Sequence, residues 1–159
     1  CKCMKRRKEV YDMLNEVCIK IKAKIENISL IRVVAASFLS NTNITLDELQ
    51  DIKTAVSEAV TNSVEHGYEN DETKEIEVIM KLAEIDQMVY YWVKVIDKGI
   101  GIEDIELATT PTYTNKPELE HAGMGFTIME TFMDEIQIDS SVGEGTSIIM
   151  TKKLKTIKA

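Results

Sequence analysis

Apolar residues and lysines alternate from Val17 to Ile25, with Ile19, Ile21 and Ala23 on one side and Lys20, Lys22 and Lys24 on the other. A period of two is that of a half-buried strand, and lysines on its second side suit a sheet edge or a solvated face. The period then lengthens. Leu30, Ile31, Val34, Ala35 and Phe38 fall at helical spacing and predict a helix over residues 28–39, which Asn41-Thr42-Asn43 breaks. Thr45-Leu46-Asp47-Glu48 has the form of a capping box. In such a box the threonine hydroxyl accepts from the N–H of Glu48 while the Glu48 carboxylate reaches back to the start of the helix. Leu49, Ile52, Val56, Ala59, Val60 and Ser63 continue as one stripe, predicting a long helix that stops at Gly67.

Two strands are expected at residues 75–82 and 88–96, joined by a polar turn near Asp86. The second is the most apolar segment of the chain and is expected at the centre of the sheet. Residues 102–122 lack a period and hold both prolines, Pro111 and Pro117. Such a stretch inside a domain is a functional loop or an unstructured one. Helical spacing resumes from Phe126 to Met133, and residues 135–139 and 146–153 form a closing strand pair turned at Gly143-Glu144-Gly145. The elements add up to an α+β sandwich, a mixed and mostly antiparallel sheet with helices on one face.

The 159 residues suit one domain with a single core. A net charge of -8 argues against nucleic acid as a direct ligand and suits a basic protein partner, or acidic solubility alone. No apolar run nears the roughly 20 residues of a membrane span and no signal-peptide pattern is present, so the expectation is a cytoplasmic protein without a membrane partner. Cys1, Cys3 and Cys18 lack a second pair of ligands for a metal and read as reduced thiols. Residues 1–12, with the charge run Lys5-Arg6-Arg7-Lys8, read as a non-native or disordered leader before a single domain at 13–159. Lys8-Glu9-Val10 is what a ribosome-binding sequence would encode a short distance ahead of a Met13 start codon, an expectation that the genomic sequence tests.

Chemistry concentrates in short stretches. Glu58 and Asn62 lie one helical turn apart on the long helix. Asn62 offers a neutral oxygen to a hard cation such as Mg²⁺, which phosphates would share, and Glu58 can act as a general base. Alone, the pair is commonly no more than a solvated helix face. Asp97 ends the apolar strand and enters Lys98-Gly99-Ile100-Gly101, where a carboxylate can accept from the exocyclic amine of adenine and the glycines let backbone approach a ring. A tight turn is the plainer interpretation. Gly123-Met124-Gly125 opens the Phe126 helix, and backbone N–H groups at a helix start form an anion site suited to phosphates. Gly143-Glu144-Gly145-Thr146 is either a bare hairpin turn or a source of one more hydroxyl for a purine.

The ordered set resembles the histidine-kinase/gyrase/Hsp90/MutL ATPase superfamily. Glu58 and Asn62 match its N box, Asp97–Gly101 its first glycine box, Gly123–Gly125 the second and Gly143–Thr146 the third. The resemblance implies a two-layer sandwich of the Bergerat ATP-binding type, with residues 102–122 as a mobile lid over ATP. Glu58-Ala59-Val60-Thr61-Asn62 running on to His66-Gly67-Tyr68, Thr114–Glu120, and Gly123–Glu130 are similar to the sporulation anti-sigma F factors. That family implies a homodimeric serine protein kinase that sequesters sigma factor F. It also implies ATP-dependent phosphorylation of a serine on an anti-anti-sigma antagonist, leaving ADP. The phosphoacceptor then lies on another protein. His66 is either a C-terminal helix cap or a pocket-wall residue.

The resemblance further implies nucleotide contacts at Asn62, His66, Asp97, Gly99, Gly101, Lys116, His121, Gly123, Met124, Gly125, Phe126 and Thr146. Arg32 would be partner-facing, its plainer role being a solvated helix charge. A related stress-response anti-sigma kinase, or a nucleotide-binding module that sequesters a sigma factor without phosphoryl transfer, would use the same residues. One departure stands out. His121 and Ala122 replace the arginine and serine that generally precede Gly123 in the family, so lid phosphate binding is expected to be weaker unless Lys116 compensates.

Overall fold

The computed structural model describes residues 11–111 and 124–154. Strand β1 (Asp12–Lys22) is followed by helices α1 (Glu26–Leu39) and α2 (Leu46–Asn62), then a π-helical turn (Ser63–Gly67). Strands β2 (Glu75–Ile85) and β3 (Met88–Asp97), the short α3 (Ile105–Ala108), α4 (Gly125–Phe132), and strands β4 (Glu135–Ser141) and β5 (Gly145–Leu154) complete the order. The sheet runs β1-β2-β3-β5-β4, so the apolar β3 is indeed its middle strand. Expected to be mixed and mostly antiparallel, the sheet is antiparallel at every pairing among the described strands.

Local chemistry accounts for the turns. Asp86 and Gln87 both take positive φ, 49° and 63°, as a two-residue hairpin between right-twisted strands requires. The capping box forms as expected: Glu48 N donates to Thr45 Oγ1 at 3.2 Å and Thr45 N donates to Glu48 Oε2 at 2.9 Å. The first strand needs correction. Its alternation continues to Ile25, yet pairing with β2 ends at Lys22–Glu75. Asn27 Nδ2 then donates to the Lys22 carbonyl at 2.9 Å, and Ile25 takes helical backbone angles with its side chain in solvent. The side-chain period persists beyond the point where the antiparallel partner strand begins, and a ladder cannot.

The helices cover one face of the sheet. Ile52, Val56, Ala59 and Val60 of α2 are fully buried, as are Val89, Tyr91 and Val93 of β3. Each large apolar side chain so buried contributes about 1.5–3 kcal/mol. Helix α2 contacts both α1 and α4, which makes it the spine of the helical layer. The opposite face carries Lys20–Glu77, Lys22–Glu75 and Lys81–Glu16 pairs at 3.6, 3.0 and 3.0 Å along β1 and β2, beside the stacked Tyr90 and Trp92 rings of β3. Exposed pairs of this kind add little stability, but they keep that face soluble. Cys18 lies there as a free, exposed thiol. Among the described residues, no helix is long and apolar enough to cross a membrane.

Candidate functional site

The α2 helix does not end cleanly. Its ladder widens at Ser63–Gly67, where Tyr68 N bonds the Ser63 carbonyl at 2.9 Å, a spacing of five residues. Such π turns often occur at functional sites. Here the turn stacks Ser63 and Gly67 against the end of β3. Ser63 Oγ donates to Asp97 Oδ2 at 2.9 Å, and a methyl group on Gly67 would lie 2.9 Å from Asp97 Cγ. Glycine at 67 is therefore what lets the carboxylate close on the helix end.

Asp97 is only 5% exposed. Its Oδ1 accepts from Gly99 N at 2.9 Å and from Thr146 N at 3.3 Å, while Oδ2 accepts from Ser63. Burial raises its pKa, and these hydrogen bonds only partly oppose that. A buried carboxylate with an unfilled lone pair is a strong acceptor for an amine entering beside it. Two glycines let the backbone close tightly around it. A methyl on Gly99 would fall 2.0 Å from the Gly67 carbonyl oxygen, and one on Gly145 2.1 Å from the Asp97 carbonyl oxygen. Tyr68 ties the same corner to the sheet: its hydroxyl donates to the Glu75 carbonyl and accepts from Lys98 N, both at 2.7 Å.

A cavity of 920 Å³ opens beside this carboxylate. Asn62, His66, Asp97, Gly101, Gly125, Phe126 and Thr146, all expected from the sequence to contact a nucleotide, line it. Gly99 packs behind the wall on Gly67. Glu58 is outside the lining but adjoins the mouth of α4: a methyl on Gly125 would lie 3.2 Å from Asn62 Oδ1 and 3.3 Å from Glu58 Oε2. Glu58 and Asn62 of α2 thus meet Gly125 of α4. Met124 sits at the start of α4, partly exposed. Arg32 lies apart from the cavity on α1, with Nη1 3.3 Å from Ser57 Oγ on α2. Lys116, His121 and Gly123 lie outside the described residues.

Three contributors to the site are not apparent from the sequence. By period Ser63 belongs to the apolar stripe and Gly67 reads as a helix stop, yet both touch Asp97. Ser140 belongs to no motif. It follows Ile136 and Ile138 on the core side of β4, and a polar residue at that register is the available signal. Its hydroxyl meets Thr146 Oγ1 at 2.8 Å.

The donor set bears on a metal. Among the described residues no group of three His, Cys, Asp or Glu side chains could hold an ion. One neutral amide oxygen at the cavity, from Asn62, fits Mg²⁺ carried in mainly by phosphates and water. It does not fit a cation caged by protein alone.

This fold and pocket define a class. Residues 21–152 match the histidine kinase-like ATPase domain. The chain is similar to proteins named anti-sigma F factor. Identity is 47% over 143 residues with the one from Clostridium beijerinckii, covering 90% of this chain and 97% of that protein. It is 50% over 149 residues with that of Clostridium kluyveri, covering 93% and 99%, and 49% over 147 residues with that of Bacillus licheniformis, covering 92% and 98%. Among solved structures it resembles the RsbU and RsbW domains of Rv1364c from Mycobacterium tuberculosis. That match has a TM-score of 0.63 and 23% identity, covering 91% of this chain and 35% of that one, and it supports the fold alone. The chain belongs to the anti-sigma F factor family within the histidine kinase-like ATPases.

Proposed function

We propose that this protein is an ATP-dependent serine protein kinase that also binds and inhibits sporulation sigma factor F. Its phosphoryl acceptor is a serine of an anti-anti-sigma antagonist, and it works as a cytoplasmic homodimer. The observation that carries the kinase reading is the convergence of Asn62 from α2, Asp97 from β3 and Gly125 from α4 on one cavity. The names of its relatives carry the sigma-binding reading.

In this reading Asp97 accepts from the adenine amine, and Thr146 contributes a hydroxyl beside it. His66, Gly101 and Phe126 wall the nucleotide, and Gly99 fixes the turn behind the base. Backbone N–H groups of Met124 and Gly125 at the start of α4, together with that of Gly123, receive phosphate oxygens. Lys116 adds charge and His121 a hydrogen-bond donor toward the phosphates. Asn62 would hold Mg²⁺, which when bound supplies charge to the triphosphate. Glu58 accepts the proton of the substrate serine as its oxygen bonds the γ-phosphorus. The bond to the bridging oxygen breaks, and ADP keeps the electron pair. Catalysis of this kind comes from positioning and charge stabilisation. Arg32, at the surface of α1, faces the protein partners.

The test is incubation with labelled ATP, Mg²⁺ and the antagonist protein, followed by mapping of the labelled residue. Glu58→Gln should abolish labelling and leave ATP binding intact. Unchanged labelling would remove Glu58 as the base. Binding of ATP and sigma factor without any label on the antagonist would leave a sequestering module in place of a kinase.

A further inference from the structure

Ser140 sits where the base end of the cavity meets the chain leading toward the lid. Its Oγ accepts from Ile102 N at 2.8 Å, donates to the Gly145 carbonyl at 3.1 Å, and lies 2.8 Å from Thr146 Oγ1. Ser140 and Thr146 both line the cavity. A hydroxyl has one proton, and that fact orders the cluster. If Ser140 gives its proton to Gly145, Thr146 must donate to Ser140, and three hydrogen bonds form. If Ser140 donates to Thr146 instead, the Gly145 bond is lost and only two remain. The first arrangement leaves no donor idle, and in it Thr146 turns only lone pairs toward the cavity. Asp97, whose Oδ1 accepts from Thr146 N at 3.3 Å, is an acceptor there as well.

Resting on the nucleotide reading above, we propose that Ser140 is a positioning residue for base selection. It holds the Thr146 proton, so that this end of the pocket presents acceptors alone and admits a purine bearing a 6-amino group. A 6-oxopurine brings a carbonyl to the same place and finds no donor. Discrimination is then shared between the carboxylate, which contacts the base, and a serine that need never touch it.

The measurement is the ratio of affinities for ATP and inosine triphosphate, taken by calorimetry on the parent and on Ser140→Ala. Without Ser140, the Thr146 proton is free to donate to the 6-oxo group. The ATP preference should fall about tenfold, the scale of one mispaired hydrogen bond. Ser140→Thr keeps a hydroxyl and should restore the ratio, and in a Thr146→Val background Ser140→Ala should have no further effect on it. A role confined to folding would weaken both nucleotides together, and an unchanged ratio overturns the proposal. Should Ser140→Ala not fold, Thr146→Val decides alone, because a ratio equal to the parent's would show that this hydroxyl plays no part in selection. Absence of ATP binding by the parent would refute the nucleotide reading itself, whereas a ratio indifferent to Ser140 refutes only its part.

Discussion

Replacing Asp97 by asparagine should move stability and affinity in opposite directions. Burial raises the Asp97 pKa, so between its unfolded and folded values the folded chain holds more protons than the unfolded one. Stability from this group is present at low pH, falls as pH rises through that window and is lost above it. An amide carries no such cost. The network can also adapt. The carbonyl oxygen of the substituted amide would keep the bonds from Gly99 N and Thr146 N, while Ser63 Oγ would accept from the new NH₂ group and redirect its proton to the Ala59 carbonyl, 3.4 Å away. Melting temperature should therefore hold or rise. The adenine amine, however, would lose a hydrogen bond to a charged acceptor, worth about 1.5–3 kcal/mol. That is about 10- to 150-fold in affinity. Calorimetric titration with ATP, paired with thermal denaturation followed by circular dichroism, reads both quantities. An affinity within about threefold of the parent's would refute the base-recognition role of Asp97. Weaker binding with a lowered melting temperature would refute the claim that Ser63 can reverse its bond.

Other consequences follow from the same geometry. ATP binding should weaken on acidification at a higher pH than an ordinary carboxylate would give, because the raised pKa of Asp97 must be crossed while its ionised form is the better amine acceptor; titrations at stepped pH show this, and Asp97→Asn should flatten the dependence. Tyr91 is fully buried and its hydroxyl has no hydrogen-bond partner among the described residues, so Tyr91→Phe should stabilise the fold by about 1 kcal/mol in urea denaturation. Gly99→Ala puts a methyl 2.0 Å from the Gly67 carbonyl oxygen and should cost about 1–3 kcal/mol of stability together with nucleotide affinity. His121→Arg should tighten ATP binding by restoring a permanently charged phosphate donor, and no gain in affinity would remove that idea.

Much of the architecture is legible in the sequence because it rests on local physics. The helical stripe on α2, its Thr45–Glu48 box and the alternation along β3 each constrain a few adjacent residues, and neighbours in sequence are enough to encode them. Motif spacing likewise places Asn62, Asp97 and Gly125 on elements that converge on one cavity. Less visible are features that need two distant segments at once. The end of β1 depends on where β2 begins, so period alone assigns Ile25 to the strand although its side chain lies in solvent. Ser63 looks like part of an apolar stripe because periodicity cannot tell a residue facing aliphatic core from one facing a carboxylate 34 positions away.

By itself, then, the order of residues determined the elements, the capping chemistry and which short motifs carry the polar groups, since those depend on backbone preferences and on side-chain period. Only the folded chain decided that Gly67 and Gly99 interlock, that Asp97 is buried beneath three donors, and that Ser140 reaches both Thr146 and Ile102. Most of those contacts join segments 30 or more residues apart along the backbone, Ser63 with Asp97, Asp97 with Thr146 and Ile102 with Ser140 among them. Their distances are fixed by how the end of α2 packs on β3 and by how β3, β5 and β4 align in the sheet, quantities that no local window of sequence contains.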